Sequence, residues 1–156
     1  MQAMEEKVIA TNRKARHDYD IFETFEAGLA HQGSEIKSIR SGHVSVKEAH
    51  VRIDETRLEA WLVNAHIAPY DPASRQNHDP VRNRKLLLHK REIAKLREAV
   101  RQKGMTVIPL RVYLTEGRAK VEIALARGRK NYDKRDAIAK RDMERDLARQ
   151  SRSEDR

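Results

Sequence analysis

Polar and apolar residues alternate from His17 to Ala30, with Tyr19, Ile21, Phe25, Ala27 and Leu29 on one face and Asp18, Asp20, Thr24 and Glu26 on the other. A period of two residues is that of a half-buried strand. Phe22 is out of phase with it. Gly33-Ser34-Glu35 interrupts the run, and Glu35–Arg40 predicts a short helical turn closed by Gly42. Strand patterns return over Val46–Ile53 and Leu58–His66, joined by the polar tip Asp54-Glu55-Thr56 as in a hairpin. The stretch Leu58–Val63 is apolar on both faces, which suits a strand covered on its outside by another element.

The prolines of Ile67–Pro72 predict a loop. Asp79-Pro80 has the form of an N-cap followed by proline at the first helical position, so a helix is expected from there to Gly104. Within it Ile93, Leu96 and Val100 make an apolar stripe, and Lys90, Arg91, Lys95, Arg97 and Arg101 occupy the remaining surface. Leu86-Leu87-Leu88 is too apolar for that single stripe and predicts a break near His89. Thr106–Leu114 and Ala119–Ala126 form the clearest hairpin. Glu116-Gly117 makes its turn, and Ile108, Leu110, Val112 and Leu114 are expected to face Val121, Ile123 and Leu125. Three short strands, a helix and two more strands match a mainly β fold with helices, the five-stranded antiparallel Greek-key barrel known as the OB-fold, whose surfaces commonly bind oligonucleotides. An α+β sandwich of another topology would give a similar string of elements.

A length of 156 residues fits one domain with an arm or tail. The division expected is a flexible N-terminus over 1–7, a barrel over 8–128 and a basic tail over 129–156. Lys and Arg number 33 against 24 Asp and Glu, a formal charge of +9, which points to polyanionic partners. The excess is concentrated. Arg75–Lys103 holds ten cationic against three acidic side chains and Arg127–Arg156 eleven against seven, which suggests two contact surfaces. In the second segment the only large apolar side chains are Tyr132, Ile138, Met143 and Leu147. These are too few to offset an ordering entropy of roughly 1–2 kcal/mol per residue, so the tail is expected to be disordered alone and helical when bound to a polyanion. The bland alternative is an ordinary solvated tail. There is no cysteine, which excludes disulfides and thiolate chemistry. No apolar run approaches 18 residues and Met1–Lys7 is polar, so a soluble cytosolic protein without membrane span or signal peptide is expected.

Catalytic chemistry finds little support. The seven histidines, at 17, 31, 43, 50, 66, 78 and 89, form no pair spaced for a metal on one helix face. Nucleophile-elbow, dinucleotide and phosphate-loop patterns do not occur. Asp133 with Asp136, or Glu23 with Glu26, could form an acid/base pair, but Asp133 and Asp136 lie in a segment without a core to shift their pKa values. No enzyme activity, cofactor or metal is expected. RNA-binding residues are easier to find. Asn12-Arg13-Lys14-Ala15-Arg16-His17 sets cations, an amide and an imidazole before the first strand, able to grip phosphates or stack on a base. Arg82, Arg84 and Lys85 suggest a phosphate clamp at the helix start.

Six segments carry a resemblance. They are Ile9–Ala15 (IATNRKA), Phe25–Leu29 (FEAGL), Gly33–Arg40 (GSEIKSIR), Ile67–Tyr70 (IAPY), Arg84–His89 (RKLLLH) and Asp133-Lys134-Arg135. In these the chain resembles the SsrA-binding protein family, also called small protein B, from Val8 to about Arg149. Arg129 stands where the family usually has lysine, and Ile36 replaces a common valine. The resemblance implies an OB-type barrel that binds the transfer-RNA-like domain of transfer-messenger RNA and delivers it to a stalled 70S ribosome. It implies Asn12, Glu26 and Leu87 on the RNA-binding face, to which Arg13, His17, Lys37 and Lys85 are added as physically plausible neighbours. Glu26 could accept hydrogen bonds from base or ribose donors, or simply form a surface ion pair; Leu87 could instead be a core leucine supporting that face. The tail is implied to enter the empty message channel, with Lys130, Lys134, Arg135, Lys140, Arg141 and Arg145 on small-subunit ribosomal RNA, Asp133 capping the helix and Tyr132 beside it. A monomer with no membrane partner is expected. A structural ribosomal protein or assembly factor is the alternative, and a small RNA-processing enzyme a third reading that nothing in the sequence favours.

Overall fold

A computed structural model describes residues 6–70 and 77–128. In chain order the elements are β1 (Lys7–Thr11), α1 (Arg13–Asp18), β2 (Tyr19–Leu29), α2 (Gly33–Arg40), β3 (Val44–Ser45), β4 (His50–Asp54), β5 (Glu59–Val63), β6 (His66–Ile67), β7 (Arg84–Leu87), α3 (Lys90–Lys103), β8 (Thr106–Thr115) and β9 (Arg118–Gly128). Seven strands form one antiparallel sheet in the order β1-β8-β4-β5-β7-β2-β9, and β8 also pairs with β9. Strands β8, β4, β5, β7, β2 and β9 therefore close into a barrel, with β1 laid beside Arg111–Leu114 of β8. The expected class, mainly antiparallel β with few helices and an OB-like barrel, is the one observed. The ring has one strand more than expected, and β3 and β6 form a separate two-stranded ribbon.

That extra strand corrects the reading of Asp79–Gly104 as one helix. Arg84–Leu87 alternates buried, exposed, buried, exposed, which is strand periodicity, and pairs with both β2 and β5. The pattern is hidden in sequence because its first inward position is an arginine. Helix α3 begins only after His89, whose backbone N–H donates to Glu92, and ends at Gly104 with φ +64. Asp79 caps a turn rather than a helix, its carboxylate accepting from the Val81 N–H at 3.0 Å. Strand β1 starts at Lys7, inside the stretch expected to be flexible, and the boundaries of the tail lie outside the described residues.

Two cores explain the remaining departures. The barrel interior holds Phe25, Ala27, Leu29, Leu62, Leu86, Val112, Leu114, Val121, Ile123 and Leu125, plugged by Ile93, Leu96 and Ala99 of α3 and Ile39 of α2. A smaller cluster on the outer face packs Ala15 of α1 on Ile108, Leu110, Ala124 and Ala126, with Tyr19 and Ile21 beside it. Register shifts between Ile21 and Glu23 on β2, and between Pro109 and Arg111 on β8, separate the two sets. An extra residue in one strand reverses the phase of every side chain beyond it. Tyr19 and Ile21 thus point away from Phe25, and Ile108 and Leu110 point to α1, not toward the interior residues Val121 and Ile123 as expected. Phe22 is out of phase because it is the bulge residue. The β8–β9 hairpin itself is as expected, with Glu116 and Gly117 both at positive φ, +52 and +75, in the manner of a two-residue turn.

Glu35, fully buried on α2, ties the interior to the loop before β7. It accepts from Arg84 Nε at 2.5 Å, from Arg82 at 2.6 and 3.2 Å, and from the Gln32 N–H at 2.7 Å. Arg84, equally buried, also donates to the carbonyls of Ala65 at 2.7 Å and Pro80 at 3.1 Å. Burial works against the Glu35 carboxylate, but Arg82, the Gln32 N–H and Arg84 outweigh it and hold its pKa below the ordinary value. His78 extends the network, bridging Ser34 Oγ and the Ile67 carbonyl. The expected phosphate clamp of Arg82, Arg84 and Lys85 is thereby corrected: Arg84 is sealed inside, Arg82 is paired with Glu35, and only Lys85 is exposed. Among the described residues no helix is long and apolar enough to cross a membrane.

Candidate nucleic-acid interface

Outward positions of the barrel line up across strands. One register row runs Val8 on β1, Tyr113 on β8, Lys120 on β9, Gly28 on β2 and Leu87 on β7. The neighbouring row is Arg111, Glu122 and Glu26. With strands about 4.8 Å apart, the five-residue row crosses roughly 20 Å of surface. Its inward neighbours, among them Ala27, Leu86, Val112, Leu114 and Val121, are held in the core, so the alternation that builds the interior also fixes this outer row.

Leu87 is 55% exposed, although it lies between the buried Leu86 and the partly buried Leu88. It lies directly over Gly28: a Cβ built there would stand 3.1 Å from the Leu87 Cβ, so the absent side chain lets the leucine settle on the sheet. Leu87 borders two grooves. The larger, about 700 Å³, is lined by Glu26, Arg57, Glu59, Lys85, His89, Lys90 and Lys120 with Leu58, Leu86 and Leu88, and the smaller by His31, Arg118 and Lys120 on the other side of Gly28. An apolar plate beside cations can take a base or ribose face while the cations hold phosphates.

Glu26 is anchored at the edge of the larger groove. The buried Tyr113 hydroxyl donates a short hydrogen bond to its Oε2, and Lys120 Nζ lies 3.8 Å from its Oε1. Burial, then the bond to Glu26, raises the Tyr113 pKa far above the usual tyrosine range, so the phenol stays a donor. Arg111 lies 4.3 Å from the centre of the Tyr113 ring and pairs with Glu6 at 2.9 Å and Glu122 at 3.3 Å. Burial acts against its charge, but these carboxylates raise its pKa above the ordinary arginine value.

The structure gathers three of the seven expected body residues in this groove: Glu26, Lys85 and Leu87. Lys85 is half-exposed and paired with Glu59 at 3.1 Å. Asn12 is buried, and its amide nitrogen donates to the carbonyls of Pro109 at 3.1 Å and Val46 at 3.4 Å, a strut between β8 and the turn after β3. Arg13 and His17 are exposed on α1, where His17 meets Asp18 at 3.0 Å. About 30 Å of strand β2 separates Tyr19, beside α1, from Gly28, so these cations form a different surface. Lys37 lies on α2 with its ammonium 5.3 Å from the Tyr70 ring centre, outside the groove. Lys130, Tyr132, Asp133, Lys134, Arg135, Lys140, Arg141 and Arg145 lie outside the described residues. The sequence reading passed over Lys120, Tyr113, Gly28 and His89. Lys120 and Tyr113 were legible as outward positions of the last hairpin, but their place beside Leu87 needs the cross-strand register.

A family model described as "SmpB protein" matches residues 9–153. An SsrA-binding protein of Sulfurihydrogenibium sp. (strain YO3AOP1) is 55% identical over 144 residues, covering 92% of this chain and 93% of the relative. One from Chloroflexus aggregans (strain MD-66 / DSM 9485) is 57% identical over 143 residues, 91% and 89% of the two chains. A solved structure described as "tmRNA-SmpB: a journey to the center of the bacterial ribosome" superposes with a TM-score of 0.63 at 50% identity, over 76% of this chain and 82% of that one. With a family match spanning most of its length and relatives above half identical, the chain belongs to the SmpB protein family.

Proposed function

We propose that the protein is an RNA-binding adaptor that holds the transfer-RNA-like domain of transfer-messenger RNA through the Lys120–Gly28–Leu87 row and carries it to stalled ribosomes. The observation that carries this reading is the exposed Leu87 plate on Gly28, next to a groove lined by Lys85, Lys90 and Lys120. Family membership supports it, since the relatives are SsrA-binding proteins and the solved neighbour is described with tmRNA and the bacterial ribosome. Such a plate can take nucleotide faces with little dependence on base identity, so selectivity comes from the RNA's shape together with a few acceptors such as Glu26. The tail, Lys130–Arg145, provides the second surface, directed to ribosomal RNA. The tail replaces the missing message in its channel. An adaptor that acts on ribosomes works in the cytoplasm.

The test is a gel-shift comparison of transfer-messenger RNA with ordinary alanine transfer RNA, repeated over a salt series and with the chain truncated after Arg129. Preference for transfer-messenger RNA, a log–log salt slope of roughly −4 to −5 for about six phosphates, and near-intact binding after truncation are expected. Truncation should stop tagging of stalled peptides. A flat salt response would refute phosphate-based binding, and loss of RNA binding on truncation would refute two separable surfaces.

A further inference from the structure

The Tyr113 side chain leaves β8 on the outer face yet is almost fully buried, because it lies across β9 to reach Glu26 on β2. Glu26 has reason to move. Glu122 stands directly opposite it on β9, and like charges facing across a strand pair repel. Arg111 draws Glu122 to the other side, at 3.3 Å, and stacks on the Tyr113 ring, while Glu6 holds the second end of the guanidinium. The phenol therefore anchors one oxygen of Glu26, leaving Oε1, with Lys120 3.8 Å away, at the groove. A carboxylate repels phosphate. It favours binding only as an acceptor for ribose or base donors, and that demands a fixed orientation.

Resting on the RNA-binding reading above, we infer that Tyr113 is a positioning residue: it touches no RNA, and its hydroxyl aims the Glu26 carboxylate at nucleotide donors while Arg111 holds the ring in place. Removing the hydroxyl frees Glu26 to rotate toward Lys120 and solvent. The RNA then loses a preorganised acceptor but no phosphate contact.

Fluorescence anisotropy with the isolated transfer-RNA-like domain tests this. Tyr113→Phe keeps the ring and its stack on Arg111, and is expected to weaken binding about tenfold, the scale of one charge-assisted hydrogen bond. The salt slope should stay that of the wild type. In a Glu26→Ala background the same substitution should have no further effect. An equal loss in both backgrounds would show that Tyr113 acts through the barrel rather than through Glu26, and would overturn the inference, as would unchanged affinity in the wild-type background. Glu26→Gln has a single oxygen, which the phenol takes, and turns an NH2 donor to the groove in place of the acceptor, so it should bind no better than Glu26→Ala; wild-type affinity in Glu26→Gln also overturns it. If the wild-type protein itself shows no preference for this RNA over alanine transfer RNA, the functional reading fails and the inference fails with it. Wild-type preference with a silent Tyr113→Phe removes the inference alone.

Discussion

Replacing Arg84 by alanine tests whether the cationic run before α3 holds the fold or holds RNA. Arg84 is fully buried, and its guanidinium serves Glu35 Oε2 at 2.5 Å and the Ala65 and Pro80 carbonyls at 2.7 and 3.1 Å. Truncation strands a buried carboxylate with only Arg82 and the Gln32 N–H, and takes a donor from three carbonyls, those of Ala65, Asp79 and Pro80. Breaking one side of a buried ion pair costs about 3–5 kcal/mol, far more than the roughly 0–1 kcal/mol of an exposed pair such as Lys95–Glu23. For a folded body of this size that corresponds to a fall in melting temperature of roughly 10–20 °C. Urea titration followed by circular dichroism measures it, with Lys95→Ala as the surface control. A variant that melts within about 0.5 kcal/mol of the wild type but has lost RNA affinity with a shallower salt slope would refute the argument, because it would make Arg84 a phosphate contact after all.

Other outcomes follow from the same geometry. Glu35 has a folded-state pKa below its unfolded value, so its stabilisation is complete above about pH 4.5 and is lost as pH falls through the lowered folded value; Glu35→Gln should flatten the acid limb of a stability–pH curve there, and an unchanged limb would contradict this. Leu87→Ala should change stability by less than about 0.5 kcal/mol, since the side chain is exposed, yet weaken RNA binding about tenfold; a parallel loss of stability in urea would make Leu87 a support and not a contact. Gly28→Ala should act in the same direction but less, because its methyl must displace Leu87 from 3.1 Å by a few tenths of an ångström; anisotropy that matches the wild type would show the plate tolerates that shift.

Much of the fold was legible because alternation is read locally. The β8–β9 hairpin, the β4–β5 hairpin with Asp54 accepting from the Thr56 and Arg57 N–H groups, and the apolar stripe of α3 each follow from a pattern within a dozen residues. What failed depends on distant partners. Arg84 reads as a surface cation until Glu35, 49 residues away, is placed against it. The bulges at Phe22 and Leu110 come from the need to serve two cores on opposite faces, which no local period encodes. The site divides likewise. Leu87 and Glu26 were singled out through the family resemblance, whereas Lys120 and Tyr113 join them only through register across β8, β9, β2 and β7. Basic residues counted as one RNA-binding set, Arg13 and His17 with Lys85, occupy different surfaces because α1 packs at the opposite end of β2.

The central claim is that the outer row across β9, β2 and β7 is where the folded body grips RNA. Amide chemical-shift mapping of the full chain during titration with the transfer-RNA-like domain tests it most directly. The largest shifts are expected to cluster at Lys120, Gly28, Leu87 and His89. Shifts confined to the pocket between β4 and α3, around His50, Arg97 and Val100, with that row silent, would contradict it.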